Sequence, residues 1–147
     1  MTLIEHKKAR LNYELLEEFE AGIVLEGFEV KALRQKMGKL EGTHVIIRGG
    51  EAYVVGMHIP PYQPSNTPET YEPERTRKLL FNKKELVKLA AAESQKGLTI
   101  VPISIYTKNR KLKVRVAIVR GRKKYDKREV LKARDAKRDI DRSLKNQ

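Results

Sequence analysis

Two pairs of short runs rich in β-forming residues, each pair joined by a short turn, constrain the fold of this chain most. The pairs are residues 45–48 with 51–55 and residues 98–107 with 111–119. A period of two places every second side chain on one face of a β-strand, and a short turn between two such runs is typical of a hairpin. Gly49-Gly50 joins the first pair and Lys108-Asn109-Arg110 joins the second. The sequence therefore predicts two antiparallel hairpins.

The second hairpin also predicts which side chains face the core. The apolar parity comprises Val101, Ile103 and Ile105 in its first strand and Leu112, Val114, Val116 and Ile118 in its second. Lys113 and Arg115 have the opposite parity. We therefore expect these two cations to share the face of the sheet that points away from the core.

Residues 11–25 fit two different elements. The odd-numbered positions are apolar except at Glu17, which is typical of a long half-buried strand. A helix that buries every fourth residue from Leu11 to Ile23 fits as well, so periodicity leaves both open. Gly22 inside the run favours a strand that bends at a bulge or a corner.

Residues 28–37 change to a helical period. Val30, Leu33 and Met37 lie on the apolar face of the predicted helix, and Glu29, Lys31, Arg34 and Lys36 lie off it. Gly38 is positioned to end this helix.

The middle of the chain predicts a loop, a short connecting element and a second helix. Residues 60–73 hold five of the six prolines and predict an extended loop. Residues 75–81 predict a short turn or helix. Asn82 and Glu85 form the pattern of a capping box, which predicts a helix that ends at Gly97.

The order of these elements predicts a mainly β fold with flanking helices. Five or so mostly antiparallel strands suggest a small closed or nearly closed β-barrel, and the oligonucleotide-binding (OB) type is the commonest basic example at this size. We expect this barrel to span residues 1–120 and a basic C-terminal tail to span residues 121–147.

Positive charge is concentrated in the tail. The chain has 147 residues, 32 Lys+Arg and 19 Asp+Glu, a net charge of +13, and residues 120–147 carry +7 of it. Such an excess favours a polyanionic partner, most often nucleic acid. Because the tail has few large aliphatic residues, we expect it to be disordered when free and to become helical on its partner.

Several classes of function are not indicated. The chain has no cysteine, its three histidines lack metal-ligand spacing, and it shows no nucleotide-binding or nucleophile motif. We therefore expect no enzymatic activity, no metal and no cofactor. With neither an 18-residue apolar run nor a leader-like segment in residues 1–25, the sequence favours a cytoplasmic protein without a membrane partner.

Basic residues outside the tail are candidate phosphate contacts. Besides Lys113 and Arg115, they are Lys7, Lys8, Arg10, Lys31, Arg34, Arg75, Arg77 and Lys78. The chain has no Trp and no aromatic pair of the kind that stacks on extended single strands. Recognition of a folded RNA shape therefore fits better.

Four segments carry a resemblance to a known family. They are Glu20–Arg34, Arg75–Phe81, Gly97–Pro102 and Gly121–Glu129. In order and spacing they resemble the signature blocks of the SsrA-binding protein family, SmpB. The resemblance implies an OB-type barrel that binds the tRNA-like domain of transfer-messenger RNA (tmRNA). It also implies delivery of this RNA, with elongation factor Tu, to the vacant A site of a stalled 70S ribosome, which enables trans-translation.

The resemblance implies roles for individual residues. Glu20, Leu80 and Lys113 stand where the family places RNA-binding groups, and Gly22, Lys31 and Lys78 lie in the same blocks. With Arg115, which shares the outer face with Lys113, these are the candidate RNA-binding residues. The candidate residues for the decoding centre and the empty mRNA channel are Gly121, Lys124, Tyr125, Asp126, Lys127 and Arg128, with Gly121 as the hinge. A salt bridge at the barrel rim would explain Glu20 equally well, and Leu80 would also fit a core position.

Some positions depart from the family pattern, and two other functions fit the same features. His6 stands where Asn is usual, Ala32 where Ser is common and Arg122 where Lys is common, and Tyr125 replaces the His of some members. A general chaperone for single-stranded RNA and a structural ribosomal protein are the competing hypotheses.

Overall fold

Seven strands and four α-helices make up the computed structural model, which describes residues 1–122 and 124–145. The strands are β1 (Thr2–Glu5), β2 (Tyr13–Ile23), β3 (His44–Arg48), β4 (Glu51–Val55), β5 (Arg77–Leu80), β6 (Leu98–Lys108) and β7 (Lys111–Gly121). The helices are α1 (Ala9–Asn12), α2 (Gly27–Arg34), α3 (Lys83–Ser94) and α4 (Lys124–Lys145), and a 3-10 turn spans Pro64–Asn66.

The seven strands form one antiparallel sheet in the order β1-β6-β7-β2-β5-β4-β3. The sheet curls so that β3 comes within 8 Å of β6, Cα to Cα, and α3 lies beside both strands. The concave side of this curl encloses the main apolar core. The predicted fold class is confirmed: a mainly β, barrel-like OB-type sheet with flanking helices, whose hydrogen-bonded order ends at β1 and β3.

Residues 13–23 are a strand, which decides between the two elements that the periodicity allowed. Phe19 and Ala21 of β2 face the main core. The pairing of β2 with β7 shifts register between Leu15 and Glu17, so the bulge lies there. It turns Leu15 to the outer side of the sheet, whereas Glu17 keeps the parity of Phe19 and pairs with Ile118 of the main core. Gly22 marks a close approach instead, because a Cβ atom at this position would lie 3.3 Å from Cβ of Leu80.

Both predicted hairpins are confirmed, and both turns contain two residues. Gly49 and Gly50 have φ angles of 60° and 74°, and Asn109 and Arg110 have φ angles of 52° and 66°. Positive φ at both central residues gives the turn the twist of the flanking strands. The predicted turn at 108–110 is therefore one residue shorter than expected, since Lys108 pairs with Lys111.

The predicted core parity of β6 is wrong for part of the strand. Its pairing with β7 shifts register between Pro102 and Ser104. One extra residue in a strand moves the following side chains to the other face. Ile105 therefore lies in the main core, whereas Val101 and Ile103 lie in a second apolar cluster with Ala9, Ala117 and Val119, where α1 covers the outer side of the sheet.

Residues 77–80 form strand β5, so the predicted turn or helix over 75–81 is wrong. The strand is only four residues long, and both of its sheet partners, β2 and β4, come from elsewhere in the chain. Side-chain alternation over four residues cannot distinguish a strand from a turn. In the structure Arg77 and Leu79 point inward, and Lys78 and Leu80 point outward.

Glu29 is fully buried, although its helical phase predicted an exposed position. Its carboxylate forms ion pairs with Arg75 and with the buried Arg77, and Tyr71 Oη donates a hydrogen bond to it at 3.1 Å. Burial acts to raise the pKa of Glu29, but the hydrogen bonds and charges of both arginines hold that pKa below its ordinary value. Because Arg77 is fully buried, it is removed from the predicted phosphate contacts, and Arg75 is already paired with Glu29.

The predicted second helix is confirmed as α3. Asn82 Oδ1 accepts a hydrogen bond from the Glu85 backbone N–H at 2.8 Å, and the Asn82 N–H donates to Glu85 Oε1 at 3.1 Å. This reciprocal pair is the predicted capping box. Glu93 near the other end of α3 accepts a hydrogen bond from the Ile47 N–H at 2.6 Å, which ties the helix to β3.

The tail contains helix α4. Glu129 and Lys132 form an i,i+3 ion pair at 3.7 Å in this helix. Among the described residues, no helix is long and apolar enough to cross a membrane. The tail's disorder in the free protein stays a prediction.

Candidate nucleic-acid interface

One part of the outer side of the sheet is left open by the helices, and we call it the open face. It comprises Tyr106 and Lys108 of β6, Lys113 and Arg115 of β7, Glu18, Glu20 and Gly22 of β2, Lys78 and Leu80 of β5, and Glu51 and Tyr53 of β4. Paired residues of antiparallel strands point to the same side, and most of these residues have a buried neighbour along their strand. Six of the seven predicted RNA-binding residues therefore lie on one surface.

Glu20 is held in place by two donors. Tyr106 Oη donates to Glu20 Oε2 at 2.5 Å, and Lys108 Nζ lies 3.3 Å from Glu20 Oε1. The hydrogen bond from Tyr106 is the main cause that keeps the pKa of Glu20 below its ordinary value. Burial and this same bond raise the pKa of Tyr106 to about 12. The result is an ionised carboxylate in a fixed orientation, which accepts hydrogen bonds and does not donate them.

The cations of the open face differ in how far they are already paired. Arg115 lies 3.5 Å from a carboxylate oxygen of Glu18, and its guanidinium carbon lies 5.4 Å from the centre of the Tyr106 ring. Lys78 Nζ lies 2.9 Å from Glu51 Oε1. Lys113 has no carboxylate within 4 Å in the described part of the chain. Its ammonium group is therefore the one best placed to meet a phosphate.

Leu80 is an outward-facing residue and not part of the core. Its exposed fraction is 51%, and it pairs with Gly22 across β5 and β2. A glycine beside an exposed leucine leaves a flat apolar spot on the open face between Glu20 and Glu51. Such a spot fits an unstacked base or the face of a ribose.

Lys31 lies on helix α2 rather than on the sheet. It is exposed, and Arg34 lies three residues further along the same side of the helix. The Arg34 guanidinium donates a hydrogen bond to the Arg110 carbonyl at 3.2 Å, in the β6–β7 turn. Lys31 therefore belongs to the rim of the barrel near the turn, outside the open face.

The tail begins at the other end of β7. Gly121 is the last residue of this strand and pairs with Tyr13. Arg122 Nε donates to the carbonyl oxygens of Arg10 at 3.1 Å and Tyr13 at 3.2 Å, and these bonds tie the chain to the end of α1. Lys113 is eight residues from Gly121, which is about 26 Å along a strand.

The first turn of α4 carries the predicted decoding-centre residues. The side chains of Lys124, Tyr125 and Asp126 lie outside the described part of the structure, so their roles stay predictions. Arg128 is exposed and Lys127 is half-buried.

His6 is buried at the junction of β1 and α1. Its exposed fraction is 6%, its backbone N–H donates to the Ile103 carbonyl at 2.8 Å, and its ring meets the ring of Tyr13 edge-on at 6.4 Å. His6, which stands where the family usually has Asn, therefore packs its side chain inside the protein.

Sequence reasoning missed several residues that shape the open face. Tyr106, Lys108, Glu51 and Tyr53 were not among the candidates. Their polar positions in the alternation of β4 and β6 place them on the outer side, but only the pairing of strands brings Tyr106 to Glu20 and Lys78 to Glu51. The ion pairs of Glu29 with Arg75 and with the buried Arg77 had no local signal.

The fold and the open face define a class: an OB-type barrel with a polar, cation-bearing sheet surface and a basic helical extension. The chain belongs to the SmpB family, since residues 3–146 match the model of the family described as SmpB protein.

Individual relatives support this assignment over nearly the whole chain. The SsrA-binding protein of Sulfurihydrogenibium sp. (strain YO3AOP1) is 47% identical over 140 residues, which cover 95% of this chain and 91% of that protein. The SsrA-binding protein of Lawsonia intracellularis (strain PHE/MN1-00) is 48% identical over 97% of this chain and 91% of its own length.

A solved structure has the same fold. It is described as "tmRNA-SmpB: a journey to the center of the bacterial ribosome", and it superposes with a TM-score of 0.70 at 38% sequence identity. The match covers 89% of this chain and 95% of that chain.

Proposed function

We propose that this protein binds the tRNA-like domain of tmRNA and delivers it to the vacant A site of stalled ribosomes, without a catalytic step of its own. Membership of the SmpB family and the names of its relatives, which are SsrA-binding proteins, support the proposal. The similar solved structure concerns tmRNA and SmpB at the bacterial ribosome. The protein would therefore act in trans-translation, in the cytoplasm, with tmRNA and the ribosome as partners.

The observation that carries the proposal is the separation of two surfaces along one strand. The open face lies around Lys113 near the start of β7, and the basic tail begins after Gly121 at its end. A strand held by neighbours on both sides is rigid, so the two surfaces keep a constant separation of about 26 Å. One surface then holds an RNA while the other reaches a second binding partner.

On the open face, each residue has a role that its geometry supports. Lys113 contacts a phosphate, the ionised Glu20 accepts a hydrogen bond from an exocyclic amine or a 2′-hydroxyl, and Leu80 contacts a base or ribose beside Gly22. Arg115 and Lys31 contribute positive charge near this site. A folded RNA elbow offers all three kinds of group at fixed positions.

The tail serves the ribosome. Gly121 is the hinge, and Lys124, Tyr125, Asp126, Lys127 and Arg128 enter the decoding centre, with the rest of the tail in the empty mRNA channel. A basic segment that becomes helical in the empty channel compensates for the missing codon–anticodon pairing. When mRNA fills the channel, the tail is excluded from it. Elongation factor Tu accompanies the complex during delivery.

A gel-shift experiment tests the RNA part of this proposal. The protein is titrated against a tRNA-like RNA and against a scrambled RNA of equal length at the same salt concentration. We expect tight binding to the folded RNA and at least tenfold weaker binding to the scrambled one. Equal affinities would favour a general single-strand chaperone, and constant association with intact, translating ribosomes would favour a structural ribosomal protein.

A further inference from the structure

Glu51, next to the β3–β4 turn, is held in the same way as Glu20. Tyr53 Oη donates to Glu51 Oε2 at 3.1 Å, and Lys78 Nζ lies 2.9 Å from Glu51 Oε1. The hydrogen bonds from Lys78 and then Tyr53 hold the pKa of Glu51 below its ordinary value. The open face thus carries two triads of tyrosine, carboxylate and lysine: Tyr106–Glu20–Lys108 and Tyr53–Glu51–Lys78.

The two triads flank the apolar spot at Gly22 and Leu80. Lys113 pairs with Tyr106 on one side and with Gly22 on the other, and Gly22 pairs with Leu80. Since Ala52 pairs with Leu79, Glu51 lies beside Leu80 at the next step of the ladder. Glu20 on β2 and Glu51 on β4 are two strand spacings of about 4.8 Å apart, which is about 10 Å across the sheet.

We propose that Glu51 is a second hydrogen-bond acceptor for RNA, held in position by Tyr53 and Lys78. The inference rests on the proposed function, because it takes the open face to be the RNA-binding surface. An ionised carboxylate repels phosphates and accepts hydrogen bonds only. Its ligands are therefore the donors that RNA displays in its minor groove and at exposed base edges, namely 2′-hydroxyl groups and exocyclic amines.

The pairing with Glu51 also changes the role of Lys78. Its ammonium group is directed to a carboxylate at 2.9 Å. Lys78 is thus a positioning residue that acts on RNA through Glu51, and the phosphate contact expected for it from the sequence is assigned to Lys113 alone.

Neutralising Glu51 tests the inference, because losing a hydrogen-bond acceptor lowers the affinity for RNA whereas losing a negative charge raises it. Removing any carboxylate makes the protein more positive, which favours RNA binding. We expect Glu51→Gln nevertheless to bind the tRNA-like RNA about tenfold more weakly, as the loss of a charged acceptor predicts. Glu17→Gln is the matched control, since Glu17 is also exposed and lies 3.1 Å from a lysine, Lys88 of α3, away from the open face. It should bind as tightly as the wild type or slightly more tightly.

A second measurement separates contact with RNA from a role in folding alone. The wild-type protein and Glu51→Gln are compared by interference mapping with RNAs that carry random 2′-deoxy or inosine substitutions. We expect interference at one or more RNA positions to disappear with Glu51→Gln. Tyr53→Phe should weaken the interference at the same position while the melting temperature of the protein stays unchanged.

Three results would overturn the inference. Tighter or unchanged binding by Glu51→Gln means that the carboxylate accepts nothing from the RNA. Weaker binding with the full set of interfering positions retained means that Glu51 acts through the protein structure alone. Loss of binding by Tyr53→Phe together with a lowered melting temperature also means that the Glu51 triad acts through the protein structure alone. A wild-type protein that does not distinguish tRNA-like from scrambled RNA refutes the proposed function itself, which is a different outcome.

Discussion

Individual cations on the open face are distinguished by their carboxylate partners. Lys108, Lys78 and Arg115 lie within 4 Å of Glu20, Glu51 and Glu18. Exposed ion pairs of this kind contribute little to stability because solvent screens them, so their main effect is to orient the side chains. Lys113 has no such partner among the described residues and keeps its full charge for a polyanion.

Replacing Lys113 with Ala should weaken binding to the tRNA-like RNA and reduce its salt dependence. A lysine that contacts one phosphate releases about one counterion, so the slope of log K against log salt should become shallower by about one. Affinity measured at four or more salt concentrations gives this slope. Lys84→Ala, at an exposed position of α3, makes the same charge change and should leave the slope unaltered. An unchanged slope for Lys113→Ala would remove this residue from the phosphate contacts.

At the scale of secondary structure, a buried ion cluster joins helix α2 to strand β5. Glu29 and Arg77 are both fully buried, and Arg77 also donates to the carbonyl oxygens of Met57 at 2.7 Å and Pro73 at 2.9 Å. Phe28 of the same helix packs edge-on against Tyr71 of the proline-rich loop at 4.7 Å. The cluster therefore positions the strand that carries Leu80 relative to the helix that carries Lys31.

Glu29→Gln should lower the free energy of unfolding by about 3–5 kcal/mol, because it leaves the buried Arg77 without its counter-charge. Urea unfolding at neutral pH gives this value. Glu74→Gln is the control, since this carboxylate is exposed and should change stability by less than about 0.5 kcal/mol.

The same cluster predicts how stability depends on pH. The pKa of Glu29 is lower in the folded protein than its ordinary value of 4.5. The unfolded chain therefore binds this proton more readily, so the stabilisation is present above about pH 4.5 and is lost as the pH falls below that value. In acid the wild type and Glu29→Gln should converge in stability. If the free energies of unfolding of the two proteins differed equally at pH 3 and pH 7, Glu29 would not be the group that titrates in this range.

At the scale of the whole molecule, β7 connects the open face to the tail, the two surfaces to which the proposed function gives different partners. The strand pairs with β2 and β6 along almost its full length, so motion of the tail relative to the body is confined to the residues after Gly121. Arg122 adds hydrogen bonds to the carbonyls of Arg10 and Tyr13, at the end of α1. We therefore predict that truncation separates RNA binding at the open face from entry into the ribosome.

Removing residues 123–147 should leave RNA affinity within about tenfold and abolish tagging on stalled ribosomes. The truncation keeps every strand pair and both hydrogen bonds of Arg122, so the open face is preserved. A gel-shift gives the affinity, and a reconstituted translation reaction on a message without a stop codon gives the tagging. Tagging by the truncated protein would show that the tail is dispensable, whereas loss of RNA binding would place part of the RNA contact in the tail.

The sequence by itself determined the elements that depend on neighbouring residues. A short turn between two β-rich runs specifies each hairpin, and Asn82 with Glu85 specifies the start of α3, since both signals act within a few positions. The parity of β7 likewise placed Lys113 and Arg115 on the outer side. The OB-type class followed from the order of these elements, and the family from its four blocks.

Only the tertiary structure decided the features that depend on distant partners. Four residues at 77–80 become a strand because β2 and β4 bind them on both sides, and Glu29 is buried because arginines 46 and 48 positions away neutralise it. The bulges in β2 and β6 and the triads around Glu20 and Glu51 also depend on strand register. Register joins residues that no spacing along the chain relates, which is why these contacts emerge only when the sheet is assembled.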